Sequence, residues 1–330
     1  MQPPIKIGTR QSELAVWQAT LVQNLLAENG HASELVFIKT EGDIDLQTPL
    51  YEMGVQGIFT RGLDMALLNN QVDIAVHSLK DVPTQLPVGL ATAAVLKRGN
   101  YNDLFVINEN NNQWAIDNEQ LTTENIPETD SPIHHSPFTI DDSPVTIASS
   151  SIRRKAQWLH RYPHHRFENL RGNINTRLQK VKDSNWAGAI FAAAGLERIN
   201  LKPSSAIELN WMLPAPAQGA IVIMCRDENI FLKKTLDPLH DINTGLCTKL
   251  ERDFLRGLLG GCSTPISALA LIDKNEIYFK GNIVSPDGKE KIEIERYVKI
   301  ENAGIAGLAL AQDLLANGGK EIADKMKRDA

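Results

Sequence analysis

The sequence predicts an α/β protein built from two strand–turn–helix units and completed by a small C-terminal α+β unit. Three observations predict it. Short apolar runs alternate with amphipathic helical stripes through the first hundred or so residues. The same alternation restarts near residue 145. Beyond about residue 240, one amphipathic helix gives way to strands of alternating polarity joined by tight turns.

Residues 5–7 read as the first strand. Thr9, Arg10, Gln11 and Ser12 follow as a polar turn, with Ser12 placed to cap the next helix. That helix carries Leu14, Trp17, Leu21, Val22, Leu25 and Leu26 at helical spacing, and Asn29 and Gly30 end it. Residues 35–38 form the second strand and residues 72–76 the third, which runs into His77, Ser78, Leu79, Lys80, Asp81, Val82 and Pro83. The second unit opens with a strand over 145–147 and turns at Ser149, Ser150 and Ser151. It continues as a helix from Ile152 to about Tyr162, where Pro163 stops it. Residues 167–170 lead through Arg171, Gly172 and Asn173 into another helix, and residues 189–192 lead into Ala193, Ala194, Gly195 and Leu196. Repeated strand, polar turn and helix predict an open parallel sheet, which binds ligands at the carboxyl ends of its strands, so the polar turns should converge.

In the C-terminal part the spacing predicts a helix over roughly 246–258, with Leu246, Leu250, Phe254, Leu255 and Leu258 on one side. Strands follow, with turns at residues 273–275 and 285–288. A helix spans about 303–316 and ends at Asn317, Gly318 and Gly319. Residues 109–142 are different: they hold eight acids, three prolines, and no Lys or Arg. The stretch reads as a long surface insertion, either a solvated loop or an acidic recognition arm. Setting it aside turns the formal charge of −6 into +2, so the body of the protein is slightly basic.

At 42% hydrophobic and 22% charged, the 330 residues suit a soluble globular chain of two or three domains. Cys225, Cys247 and Cys262 have no CxxC spacing, which argues for a reducing compartment and against a disulfide framework or zinc site. The N-terminus lacks a charged segment followed by an apolar one, and no apolar run reaches membrane-spanning length. A cytoplasmic location without a membrane partner is expected. His134, His135, His164 and His165 lack metal-ligand spacing, so no metal is expected. A pI of 5.8 and turns without interleaved aromatics argue against nucleic acid, and no GxxxxGK[ST] loop occurs.

The residues that could carry chemistry lie in the turns. Arg153 and Arg154 fall in the first turn of a helix, where the positive dipole end disfavours them. An anionic ligand would resolve the conflict; surface arginines with local partners are the other reading. Arg10, Arg171, Arg177 and Arg198 repeat the arrangement beside other turns, and guanidinium groups bind carboxylates and phosphates through paired hydrogen bonds. Lys80 and Asp81 end a strand together. They are either an ordinary ion pair or a carboxylate placed to stabilise positive charge and move protons. Gly260, Gly261, Cys262, Ser263, Thr264 and Pro265 set a thiol in cleared space. Such a thiol is either a small core residue or the attachment point of a bulky group.

Longer stretches then carry a resemblance. They are residues 9–12 with Leu14 and Ala15, residues 73–83, 150–154, 170–178, 194–196 and 218–220, the pair Glu251 and Arg252, and residues 260–262. In that order they resemble the hydroxymethylbilane synthase family, also called porphobilinogen deaminases, over nearly the whole chain. The resemblance implies a transferase that joins four porphobilinogen molecules head to tail with loss of ammonia and releases hydroxymethylbilane with water. It implies a covalent dipyrromethane cofactor on Cys262, with Lys80, Ser150, Ser151, Arg153, Arg154 and Arg177 holding it and Asp81 as the catalytic residue that stabilises the cationic intermediates formed as ammonia leaves. Arg10, Ser12, Arg171 and Arg198 would bind substrate carboxylates. It further implies two periplasmic-binding-protein-like α/β domains, residues 1–104 with 218–240 and residues 105–217, a third α+β domain over 241–330, and a monomer. Gln56, Gly62 and Ala217 depart from the family pattern, the first two touching a lid over about 41–61. A dicarboxylate-binding module without catalysis is the alternative function. A cysteine-nucleophile hydrolase is a third reading, for which no histidine partner is evident.

Overall fold

The computed structural model describes residues 3–39, 60–111, 145–258 and 264–328. Cys262, Gln56, almost all of the 41–61 lid and nearly all of the acidic insertion lie outside the described residues. The chain opens with β1 (Ile5–Thr9), α1 (Glu13–Glu28), β2 (Ser33–Phe37), α2 (Arg61–Leu68), β3 (Ile74–Ser78) and β4 (Leu90–Val95). A second body follows: β5 (Asp103–Ile107), β6 (Thr146–Ala148), α3 (Ile152–Arg161), β7 (Arg166–Glu168), α4 (Ile174–Asp183), β8 (Gly188–Ala192), α5 (Ala193–Arg198) and β9 (Ile207–Glu208). The chain returns to the first body with β10 (Ile221–Arg226) and α6 (Ile230–Leu236). A third body comprises α7 (Ile242–Gly257), β11 (Ile266–Asp273), β12 (Glu276–Val284), β13 (Lys291–Lys299), α8 (Ala303–Leu314) and α9 (Lys320–Arg328).

Among the described residues the first sheet has the order β2-β1-β3-β10-β4 and the second β7-β6-β8-β5-β9. The predicted α/β class is what the chain adopts, but the sheets are mixed rather than purely parallel. β2, β1 and β3 are parallel, as are β7, β6 and β8. β10 runs antiparallel to β3 and β4, and β5 antiparallel to β8 and β9. Both inserted strands arrive across the junction from the other body and so enter from the opposite end. Ile221, Val222, Ile223, Met224 and Cys225 of β10 are all buried, and a run apolar on both faces carries no signal of direction. Asp103 and Leu104 pair with Ala192 and Phe191, so the second sheet begins at Asp103.

Apolar layers cover both faces of the first sheet. Val22 and Leu26 of α1 pack on Ile7, Ile74 and Ile223, while Leu63 and Leu67 of α2 pack on Ala75 and Val222. Each such large side chain contributes about 1.5–3 kcal/mol by leaving water. In the third body, α7 and α8 lie on the antiparallel sheet β11-β12-β13, with the ring of Phe254 edge-on to Phe279 at 5.1 Å. α7 starts at Ile242, earlier than the expected 246, because the Asp241 carboxylate accepts the Thr244 N–H at 2.7 Å. The helix from Ala303 ends close to the expected residues 317–319. Asn317 and Gly318 break the helix, and α9 continues with Ile322 and Ala323 in the same core.

The two α/β bodies are joined where residues 96–102 and 214–220 cross. Gly99 N–H donates to the Gly219 carbonyl at 3.1 Å. Gly219 has φ +86°, and a Cβ there would lie 2.8 Å from the Gly99 oxygen, so this crossing requires glycine. Ala217 holds φ 62°, a left-handed conformation that a side chain disfavours. Its N–H donates to Glu251 of α7 at 2.6 Å. Wholly buried, Glu251 also accepts from Arg98 at 2.6 and 3.1 Å and from Ala270 N–H at 2.7 Å, and so ties all three bodies.

Candidate active site

The carboxyl ends of β1, β3, β6 and β8 and the turn after β7 open on one cleft of about 710 Å³, within the ~300–1,000 Å³ range of small-ligand sites. The polar turns converge there. Of the twelve residues singled out in the sequence, eleven line it: Arg10 and Ser12 after β1, Lys80 and Asp81 after β3, Ser150, Ser151, Arg153 and Arg154 after β6, Arg171 and Arg177 after β7, and Arg198 after β8. The twelfth, Cys262, lies outside the described residues. The chain on either side of it does reach the cleft, since Leu255 of α7 and Thr264 are in its wall.

Three helices present their N-termini to this space. Ser12 precedes α1, Ser151 precedes α3, and neither hydroxyl bonds to its own helix. Asn173 caps α4 by accepting the Thr176 N–H at 2.9 Å. Gly172 before it has φ +112°, where a Cβ would sit 2.8 Å from the Thr176 side chain. The Gly172 carbonyl accepts Arg177 Nε at 2.7 Å. Free N–H groups at helix starts attract anions, as the guanidinium groups do.

Arg153 and Arg154 correct one step of the sequence argument. The conflict with the α3 dipole is met inside the protein, by Asp103 at the start of β5. Arg153 Nη2 reaches Asp103 Oδ2 at 2.7 Å, and Arg154 reaches Oδ1 through Nη2 at 2.8 Å and Nε at 3.1 Å. Arg153 also donates to the Leu213 carbonyl and Arg154 to that of Ile190. Burial alone would raise the Asp103 carboxyl, but the two guanidinium groups hold it at about 2. The pair therefore faces the cleft as two cations sharing one internal carboxylate.

Gln218 extends this network to the other sheet. Its Nε2 donates to Asp103 Oδ1 at 2.9 Å and to the Tyr101 carbonyl at 2.8 Å, while its Oε1 accepts Lys80 Nζ at 3.4 Å. Burial pushes Lys80 down to about 8 against the opposing pull of Asp81. Arg177 is pushed down to about 10 by burial and then by Arg154 and Arg171. Arg198 is pushed to about 10 by burial; it donates to the Gly219 carbonyl at 2.6 Å and lies 5.7 Å over the Trp17 ring. Every one of these directions has the same origin: cations crowded out of water without enough anions. Among the described residues the wall holds eight Lys or Arg and two acids, Glu13 and Asp81. A ligand carrying several negative charges would be drawn to it.

The thiols sort themselves. Cys225 and Cys247 are buried, and burial pushes Cys247 up to about 12. Neither lines the cleft. Among the described residues no group of three or more His, Cys, Asp or Glu could hold a metal ion, and no helix is long and apolar enough to cross a membrane.

Sequence reasoning gave no part to Asp103, Gln218 or Arg252. Asp103 heads the buried run Leu104, Phe105 and Val106. An acid placed there needs a cation, which is the one signal that could have found it. Gln218 and Arg252 stood in family-like stretches with no role attached. Arg252 Nη1 donates to the carbonyls of Leu79 and Val82, at 3.1 and 2.8 Å, and Nη2 donates to that of Pro83 at 2.7 Å.

Two family models match the chain. The porphobilinogen deaminase, dipyromethane cofactor binding domain covers residues 5–234, and the porphobilinogen deaminase C-terminal domain covers residues 245–316. Two curated relatives named porphobilinogen deaminase, from two strains of Acidithiobacillus ferrooxidans, are each 35% identical to it over 331 residues, 99% of this chain and 99% of theirs. Among solved structures, the VFT2 domain of Bordetella pertussis BvgS (a double mutant) is similar at 13% identity and a TM-score of 0.40, covering 74% of this chain and 90% of that one. With two family models spanning most of its length and relatives matched end to end, the chain belongs to the porphobilinogen deaminase family.

Proposed function

We propose that this chain is a hydroxymethylbilane synthase, joining four porphobilinogen molecules head to tail with loss of ammonia and releasing the linear tetrapyrrole with water. The observation that carries the reading is the cleft wall, which among the described residues holds eight cations and two acids, Asp81 being one of the two. Each pyrrole unit brings two carboxylates, so a chain of them needs many cationic partners in one place. A dipyrromethane fits the same donor set: it adds four carboxylates to a site with a large excess of guanidinium and ammonium groups. Cys262 would hold it through a thioether, and the other two cysteines are buried away from the cleft. When bound, it supplies the pyrrole carbon to which the first substrate is joined.

The chain's own residues then divide the work. Lys80, Ser150, Ser151, Arg153, Arg154 and Arg177 hold the carboxylates of the primer. Arg10, Ser12, Arg171 and Arg198 receive those of the incoming substrate. Asp81 stabilises the positive charge that develops on the substrate as ammonia leaves, a task for a carboxylate in a site partly shielded from water. The working domains follow the sheets: β1–β4 with β10, then β5–β9, then α7 onward. A dicarboxylate-binding module would not need Leu255 and Thr264 of the third body in its wall. We further propose a cytoplasmic monomer that acts on a small-molecule substrate and not on nucleic acid. Buried free thiols at Cys225 and Cys247 suit a reducing compartment.

Intact-mass measurement tests the central claim. Protein made in a haem-competent host should carry the added mass of two pyrrole units, and Cys262→Ser should not. A bare-chain mass for the unaltered protein would refute attachment.

A further inference from the structure

We propose that Arg252 is a positioning residue for Asp81, holding the turn that carries this carboxylate at a fixed place against α7 of the third body. The inference rests on the reading of Asp81 and Cys262 given above. Residues Leu79–Asp81 form a single three-residue turn. Two backbone bonds support it directly, Leu79 N–H to the Ala220 carbonyl at 3.0 Å and Val82 N–H to the Leu79 carbonyl at 3.2 Å. So short a 3₁₀ turn has little rigidity of its own. Arg252 binds the carbonyls of Leu79, Val82 and Pro83, so its contacts bracket Asp81 from both sides along the chain. A planar guanidinium with fixed donor directions can hold three carbonyls at once, which an ammonium on a flexible stem does poorly.

The origin of Arg252 gives the contact its meaning. It lies in the penultimate turn of α7, a helix of the third body, ten residues before Cys262. Its neighbour Glu251 fixes the same helix to the crossing between the α/β bodies, through Arg98 and Ala217. One helix is therefore fixed to the crossing and also grips the turn of the acid. Misplacement of a reacting group by about 1 Å can lower a rate about 100-fold.

The test uses purified holoprotein, with adduct content fixed by intact mass and rates expressed per mole of loaded chain. Arg252→Met should keep the adduct and lower kcat about 10- to 100-fold while moving KM less than about 3-fold. Arg252→Lys, which can reach only part of the carbonyl set, should fall between the two. Added methylguanidinium should partly restore kcat in Arg252→Ala. If Arg252→Met or, should that variant not fold, Arg252→Lys gives unchanged kcat per loaded chain, the proposal is overturned. A folded variant that carries no adduct while the unaltered chain does also overturns it. Absence of adduct from the unaltered chain would instead sink the Cys262 reading, so the two failures are told apart.

Discussion

Replacing Asp103 with asparagine would remove the one internal charge shared by two buried guanidinium groups. Arg153 and Arg154 lie 2.7 and 2.8 Å from its oxygens, and all three side chains are almost wholly buried. Taking one partner from a buried ion pair costs about 3–5 kcal/mol, because the charge left behind cannot regain water. Part of this is linked to pH. The carboxyl sits at about 2 in the folded chain instead of its ordinary 3.8. At about 1.4 kcal/mol per pH unit, that is roughly 2 kcal/mol. Since the folded value is depressed, this contribution is present in full above about pH 4 and is lost as pH falls toward 2. Asp103→Asn should therefore lower the thermal midpoint at pH 7 by several degrees, on the order of 10 °C. Between pH 4 and pH 2 its stability should fall less steeply than that of the unaltered chain. Unfolding followed by tryptophan fluorescence suits the purpose, because Trp158 is fully buried in α3 beside these arginines. The drop should be larger in a Cys262→Ser background, where no primer carboxylates stand in for the missing charge. A midpoint at pH 7 moved by less than the equivalent of about 1 kcal/mol would show that the arginines do not depend on Asp103.

Two further outcomes are expected. Burial holds Lys80 at about 8, so it is charged at pH 7 and loses its proton as pH rises through 8. KM for porphobilinogen should rise along that limb, and Lys80→Arg should move the limb upward; a flat KM from pH 7 to 9 would remove Lys80 from carboxylate binding. Ala217 stands at φ 62°, a conformation that disfavours a side chain by about 1–2 kcal/mol. After the entropy glycine loses on folding, Ala217→Gly should stabilise the chain by roughly 0.5–1 kcal/mol in chemical denaturation. A lower midpoint would refute strain at the crossing.

How far the sequence could be read follows from what kind of force fixes each part. Helical stripes such as Trp17, Leu21 and Leu25 are local patterns, and α1, α3 and α7 followed from such patterns within a few residues, although the Ser12 hydroxyl does not make the capping bond expected of it. The convergence of the turns followed as well, because strand polarity puts carboxyl ends on one side of a sheet. The direction of β10 did not follow: Ile221–Cys225 is apolar on both faces, and pairing with β3 and β4 is decided by a chain crossing more than a hundred residues away. For the same reason Asp103 was missed as the partner of Arg153 and Arg154, fifty positions off in sequence. Arg252 was visible as a motif letter, but its three acceptors are backbone carbonyls, which leave no trace in side-chain identity.

The place of β10 has a consequence for synthesis. It sits between β3 and β4, so the first sheet lacks an inner strand until residue 226 has been made. Roughly 130 residues separate the end of β4 from the end of β10, about 7–26 s of translation at ordinary rates. During that interval β3 and β4 offer open backbone edges, the kind that invite pairing with other chains. The second sheet, whose strands all lie between residues 103 and 208, is complete before the first can close. The half of the molecule encoded first is therefore finished second on the ribosome, and crowding or a slowed ribosome over residues 96–220 should reduce yield more than the same delay placed after residue 240.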